Sequence, residues 1–370
     1  MVWLDRVGVG PKRCPSVGHY DADMLRWESN APRYDGGAGG HYESYFVRAN
    51  HPSRPNAFWL RYTVFSPAGR PQDAVGEVWG VMFDGTSGQQ VAVKTTVPVA
   101  QTTFASLAGG PLTVRVAAAE LVDDPASRTG ALTGSVTSQG NTLRWDLRYA
   151  GGQSPLTLLP ERLYSSGFPK AKALVPVPLA NFTGHLEVNG SGTEVVGWPG
   201  SQNHNWGTRH TDEYAWGQVA GFDDAPETFL ECSTARIKLA GVPLPRLTPL
   251  VLRHDGTEVR LNAVMTSLRA AARYTGAGPE FSWTFRSHGR SSGRPVEVTG
   301  EIAAPREAFV ALLYDNPPGG RKTCLNTKIG RCRLRIRHGN TDPVELHSAN
   351  RAAFEILTTR TDHGVATPGR

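Results

Sequence analysis

A chain of 370 residues exceeds the roughly 250–300 at which one hydrophobic core stops growing, so two domains are expected. Hydrophobic residues at 39% and charged residues at 19% exclude a disordered chain, and 41 Gly with 27 Pro suit many turns rather than long helices. The net charge of +6 would fit a nucleic-acid partner, yet the basic residues are scattered apart from one Arg stripe at 331–337, with which no aromatics interleave, so none is expected.

The start, Met1-Val2-Trp3-Leu4-Asp5-Arg6, lacks the apolar core of a signal peptide, and no stretch of about 18 apolar residues follows. A cytoplasmic protein without stable membrane insertion is therefore expected, its four cysteines (14, 232, 324 and 332) reduced. Cys324 and Cys332 could still face each other across a hairpin. The turn-rich first 40 residues and the last ten read as irregular or mobile.

From His41 onward the pattern repeats every two residues, the mark of strands. In His41-Tyr42-Glu43-Ser44-Tyr45-Phe46-Val47 the residues Glu43, Tyr45 and Val47 share a face. Glu43 could pair with Arg61 on the next strand, where Phe58, Leu60, Tyr62 and Val64 form the apolar face. Leu112, Val114 and Val116 repeat the pattern, and Leu143-Arg144-Trp145-Asp146-Leu147-Arg148-Tyr149 alternates without a fault. Turn signals such as Asp84-Gly85, Gln139-Gly140-Asn141 and His254-Asp255-Gly256 separate these runs. Many short strands with close turns define an all-β chain of antiparallel barrels or sandwiches. Short helices are expected only at 262–273 and 304–313.

Residues 150–182 carry Pro155, Pro160, Pro169, Pro176 and Pro178 and read as a connector, which puts the boundary near 178 and the domains at 1–178 and 179–370. Trp79-Gly80 before Phe83-Asp84 is echoed by Trp216-Gly217 before Phe222-Asp223, a hint of duplication.

The stretch 197–223 concentrates the chemistry, holding Trp198, Asn203, His204, Trp206, Tyr214, Trp216 and Gln218. Tyr214, Trp216, Gln218 and Phe222 share a parity that offers π surface with one amide, suited to an apolar ligand needing a polar anchor. A tight turn around an aromatic core would show the same residues. In Thr228–Leu239, Glu231 shares parity with Phe229, Ile237 and Leu239, opposite Leu230, Cys232 and Lys238. With the first set inward, Glu231 stands in apolar surroundings, its pKa rises and it can protonate an alkene or carbonyl. A salt bridge to a neighbouring Arg is the structural alternative. Cys-x-x-Cys spacing is absent and His204 lies six residues from His210, so no metal site is expected. The Arg331-Cys332-Arg333-Leu334-Arg335-Ile336-Arg337 alternation reads as a solvated Arg face opposite a core face.

Gly197-Trp198, His204-Asn205-Trp206-Gly207 and Tyr214-Ala215-Trp216-Gly217-Gln218 resemble the lipocalin-like superfamily of hydroxyneurosporene synthase (carotenoid 1,2-hydratase), with tocopherol cyclase more distant. Glu43-Ser44-Tyr45-Phe46, Leu60-Arg61-Tyr62 and Glu77-Val78-Trp79 extend the resemblance over most of the chain. It implies two lipocalin-like barrel or sandwich domains with a ligand cavity near their junction. Known members hydrate or cyclise isoprenoids by proton transfer, and others cyclise polyketides. The family's His-x-Trp pair falls on His204 and Trp206, and its aromatic-x-acid pair on Phe229 and Glu231, with Phe in place of Tyr and Glu in place of Asp. The Trp-Trp-Tyr run of a carotenoid hydratase is missing.

The expectation is therefore a cyclase or hydratase of an isoprenoid, polyene or polyketide, needing no cofactor. Glu231 would donate the proton and His204 orient it. Trp206, Tyr214 and Trp216 would stabilise developing positive charge, and Asn203 and Gln218 would anchor a polar end, with Phe229 and Trp198 beside them. A pericyclic catalyst acting by shape and a non-catalytic carrier of a hydrophobic ligand are the rivals. Oligomeric state is not legible.

Overall fold

A computed structural model describes residues 30–106, 110–236, 238–239, 242–243 and 245–367. Most of the N-terminal arm, with Cys14, lies outside the described residues, as do Ile237 and the side chain of Leu239.

The first sheet contains β1 (His41–Asn50), β2 (Asn56–Ser66), β3 (Val75–Asp84), β4 (Gln89–Pro98), β5 (Thr102–Ser106), β6 (Leu112–Val116), β7 (Ala119–Asp124), β8 (Thr129–Ser138), β9 (Asn141–Gly151), β10 (Leu156–Thr157), β11 (Ala171–Val188) and β12 (Ser191–Gly207). Its order is β4-β3-β2-β1-β12-β11-β9-β8-β7-β6-β5, with β10 alongside β11, and every pairing is antiparallel. The sheet curls until β4 meets β8, where the Lys94 backbone N–H donates to Ser138 Oγ (3.1 Å).

After β13 (Glu213–Ala220) and β14 (Phe229–Arg236) come the short pair β15 (Lys238–Leu239) and β16 (Val242–Pro243). Then follow β17 (Leu250–His254), β18 (Thr257–Arg260), helix α1 (Val264–Arg269), β19 (Ala271–Thr275), β20 (Glu280–Ser291), β21 (Arg294–Pro305), β22 (Val310–Asp315), β23 (Arg321–His338) and β24 (Val344–Thr358). The second sheet runs β18-β17-β14-β13-β24-β23-β21-β20-β19, with β22 on β23. Residue 178 lies inside β11, whose later residues pair with β9 and β12, and the chain changes sheets between Gly207 and Glu213.

Local chemistry explains the strands. On β9, Leu143, Trp145, Leu147 and Tyr149 are buried while Arg144, Asp146 and Arg148 face out. The β8–β9 turn is Gln139-Gly140, with φ of 52° and 77°, the doubly left-handed conformation that matches strand twist. The helix expected at 262–273 is α1. The helix expected at 304–313 shrinks to one 3-10 turn, Arg306–Ala308, before β22. The apolar run Phe309–Leu312 is buried throughout, a pattern that periodicity cannot tell from a helix, and its pairing with β23 makes it a strand. Cys324 and Cys332 share β23 and so cannot face each other across a hairpin; both are free and buried. Beside them Arg333, Arg335 and Arg337 are exposed, and Arg331 pairs with Glu280 and Glu301.

One large core fills the first barrel, lined by Tyr45, Leu60, Tyr62, Trp145 and Phe182. The other centres on Trp283, Phe285, Ile302 and Phe354 in the second, and reaches across to Phe46, Trp59 and Trp79. Strands β1 and β2 are therefore covered on both faces, one toward their own barrel and one toward the second sheet.

Candidate functional site

The face that β1 and β2 turn away from their barrel carries Tyr42, Ser44, Phe46, Arg48 and Asn50 on one strand and Trp59, Arg61 and Thr63 on the next. It meets the face of the second sheet that carries Tyr214, Trp216 and Gln218 on β13, Glu231 on β14 and Glu355 on β24. Between them lies a cavity of about 340 Å³. Residues of 158–174 close one side, and Ala171–Leu174 among them stay paired with β12. Apolar side chains dominate, among them Phe46, Leu158, Leu163, Phe168, Leu247 and Val264.

Glu231 is buried on the cavity wall. Its Oε1 accepts from Trp216 Nε1 (2.7 Å) and its Oε2 from Gln218 Nε2 (2.8 Å). Burial pushes its pKa up to about 7, against the pull of those hydrogen bonds and of Arg48. Gln218 is held in turn: its Oε1 accepts from Arg48 Nε (2.9 Å) and Ser201 Oγ (2.7 Å), and its Nε2 also donates to Asn203 Oδ1 (2.8 Å). On β14 the opposite parity, Leu230 and Cys232, faces the barrel core, which resolves the orientation that alternation left open.

A second carboxylate lines the cavity. Glu355 Oε1 accepts from the fully buried Lys328 (2.7 Å) and from Asn326 (3.0 Å), and Oε2 accepts from Tyr214 (3.3 Å). Lys328 Nζ also lies 5.3 Å from the Trp216 ring and 5.7 Å from Trp59. The site thus separates one carboxylate neutralised by a buried ammonium from one carboxyl poised near neutrality.

His204 borders the cavity, but its ring turns into the first barrel, stacked on Tyr45 (4.1 Å between centroids). Its Nε2 donates to Glu43 Oε1 (2.8 Å), and Nδ1 is buried without a partner. Burial lowers the His204 pKa, partly opposed by Glu43. Burial also works against the Glu43 charge, yet hydrogen bonds from His204, His41 and the Arg33 backbone outweigh it and hold the carboxyl at about 2. The pair is a carboxylate and a neutral imidazole, and the hydrogen bonds to Glu231 come from Trp216 and Gln218. The conceivable Glu43–Arg61 pair does not form: the two stand on opposite faces of the first sheet, and Arg61 donates to Ser44 Oγ (2.7 Å).

Of the other expected residues, Asn203, Tyr214 and Trp216 line the cavity, and Gln218 stands directly behind Glu231. Trp206 lies beside His204 (4.6 Å) with the Arg33 guanidinium 4.9 Å from its ring, outside the cavity lining. Trp198 packs on Phe58 in the first barrel. Phe229 shares the Glu231 face but lies deeper, among Leu156, Leu158, Val175 and Val251. Phe222 follows the left-handed Gly221 (φ 80°) and enters the second core instead of joining the Tyr214 face. Arg61, Tyr314, Glu355 and Lys328 went unread in this role. Glu355 is the lone charge in Ala352-Ala353-Phe354-Glu355-Ile356-Leu357, and that was its signal.

Two large antiparallel sheets, one of them nearly closed into a barrel, meet around a shared cavity in an all-β, lipocalin-like architecture. The chain is 27% identical over 301 residues to an uncharacterized protein of Mycobacterium tuberculosis, found in strains CDC 1551 and H37Rv, covering 80% of this chain and 81% of that one. Its fold is similar to that of a protein provisionally designated AttH from Nitrosomonas europaea (TM-score 0.55, 11% identity, 89% of this chain and 97% of that chain). It is also similar to that of CghA, solved with Sch210972 (TM-score 0.58, 13% identity, 86% and 89%). No family model matches the sequence. Among the described residues no helix is long and apolar enough to cross a membrane.

Proposed function

We propose that the junction cavity is the active site of a cofactor-independent cyclase or hydratase, and that it acts on an apolar isoprenoid, polyene or polyketide by proton transfer. The observation that carries this is Glu231, a buried carboxyl with a pKa near 7 on a largely apolar cavity wall. A group half protonated at neutrality can give a proton to an alkene or carbonyl and take one back. The rings of Trp216 and Phe46 meet edge to face (6.3 Å) beside it and offer π density to a developing cation. Gln218 and Trp216 hold the carboxyl in one orientation, which confines transfer to one substrate position. The CghA structure, solved with a compound bound, supports the use of this fold for holding a small molecule.

A second reading, cyclisation by shape alone, is favoured by the same two hydrogen bonds, since both Glu231 oxygens are already engaged. The experiment is extraction and identification of any co-purified small molecule, then incubation of that molecule with the protein in D2O. Proton-transfer catalysis incorporates deuterium into the product with the native protein and fails with Glu231→Gln. Turnover unchanged in Glu231→Gln would establish the shape-only reading, and binding without turnover a carrier.

A further inference from the structure

Among the described residues Arg61 is the one guanidinium on the cavity wall, and the fold leaves it largely unused. It is 5% exposed. Its Nη2 donates to Ser44 Oγ (2.7 Å), its Nε is buried without a partner, and among the described residues it makes no ion pair. Burial works against its charge, yet the fields of Tyr314, Glu77 and Glu355 outweigh it, so the guanidinium stays charged while no anion is bound to it directly.

The neighbouring carboxylates are committed elsewhere. Glu77 is bound by Lys94 (2.5 Å) and by Trp79 Nε1 (3.1 Å), and Glu355 by Lys328, Asn326 and Tyr214. His210 is held neutral, since burial and the Arg61 field push its pKa down to about 3. The Tyr314 ring lies 4.3 Å from the guanidinium and lends π density only. One strand away from Ser44, and directly opposite it in register, Asn205 also lines the cavity; its unpartnered Oδ1 is an acceptor, so the donor an anion would need there is Arg61. Arg61, backed by Ser44, and Asn205 therefore face the cavity from the first sheet, across from Glu231 on the second. The remaining walls are mainly apolar.

We propose that the ligand of this cavity is an amphiphile, with a hydrocarbon body and one anionic oxygen head group, carboxylate or enolate, received by Arg61. This rests on the reading of the cavity as a ligand site and narrows it. The head group binds at the Arg61 corner, and the apolar body lies along Phe46 toward Trp216 and Glu231. A pure hydrocarbon leaves Arg61 without a partner and is discriminated against.

The test compares decanoate with decan-1-ol by isothermal titration at about pH 6, where the free acid is ionised and Glu231 largely holds its proton. The native protein should bind decanoate at least ~10-fold more tightly. In Arg61→Met the preference should vanish, decanoate losing far more affinity than decan-1-ol, and Arg61→Lys should keep part of it. The native comparison stands even if a variant fails to fold. Equal affinity of the native protein for the two compounds would overturn the head-group inference and leave the apolar cavity standing. Binding of neither would overturn both, and an undiminished preference in Arg61→Met would remove Arg61 from the role.

Discussion

At the residue scale, the Glu231 proton has a thermodynamic signature that needs no substrate. Its pKa is about 7 in the fold and near 4.5 in an unfolded chain. Below about pH 4.5 both states hold the proton and the group has no effect on stability. Between about 4.5 and 7 the unfolded chain releases it while the fold retains it, so stability falls as pH rises, by on the order of 3 kcal/mol in all. Glu231→Gln should flatten that part of the melting-temperature profile; an unchanged slope would show that another group is responsible. The slope is a better readout than the absolute melting temperature, because a Gln amide cannot accept from both Trp216 and Gln218 and carries its own cost. His204 shows the limit of single-residue reading. The sequence places it two residues from Trp206, and nothing local reveals that its partner is Glu43, two strand positions and a whole chain segment away.

At the element scale, legibility followed exposure. Strand β9 has one wet face, and its alternation could be read without error. Strands β1 and β2 have none, so both parities are apolar or paired, and alternation could not say which side faced a ligand. For the same reason β22 resembled a helix, and the lone charges Arg48, Arg61, Lys328 and Glu355 were hard to assign until the two sheets were seen to face each other. A Cβ on Gly217 would come within 2.4 Å of Ile302 Cδ1 and 3.0 Å of the Trp283 ring. Gly217→Val should destabilise the fold by roughly 1–3 kcal/mol through overpacking of the second core, measured by urea denaturation. Full stability in that variant would mean that Ile302 can yield.

At the scale of the molecule, the barrels are joined by buried polar groups as well as apolar ones. Arg48, from the first, donates to the Gln218 side chain and carbonyl and to the Arg351 carbonyl (3.1 Å). Asn50 Nδ2 donates to the carbonyls of Lys328 (2.7 Å) and Asn350 (3.1 Å). Separating the barrels would orphan all of these, so the protein should unfold in one cooperative step with coincident fluorescence and circular-dichroism transitions. Two resolved transitions would show the junction to be weaker than its hydrogen bonding implies.

The shared wall also has a consequence for descent. Arg61 and Glu231 are contributed by different sheets, so on the proposed function a gene fragment encoding either half would carry half a binding site and no selectable chemistry. Exchange of one half between divergent relatives would bring together walls shaped for different molecules. Change in ligand preference should therefore proceed by paired substitutions across the junction, with the two halves inherited as a unit.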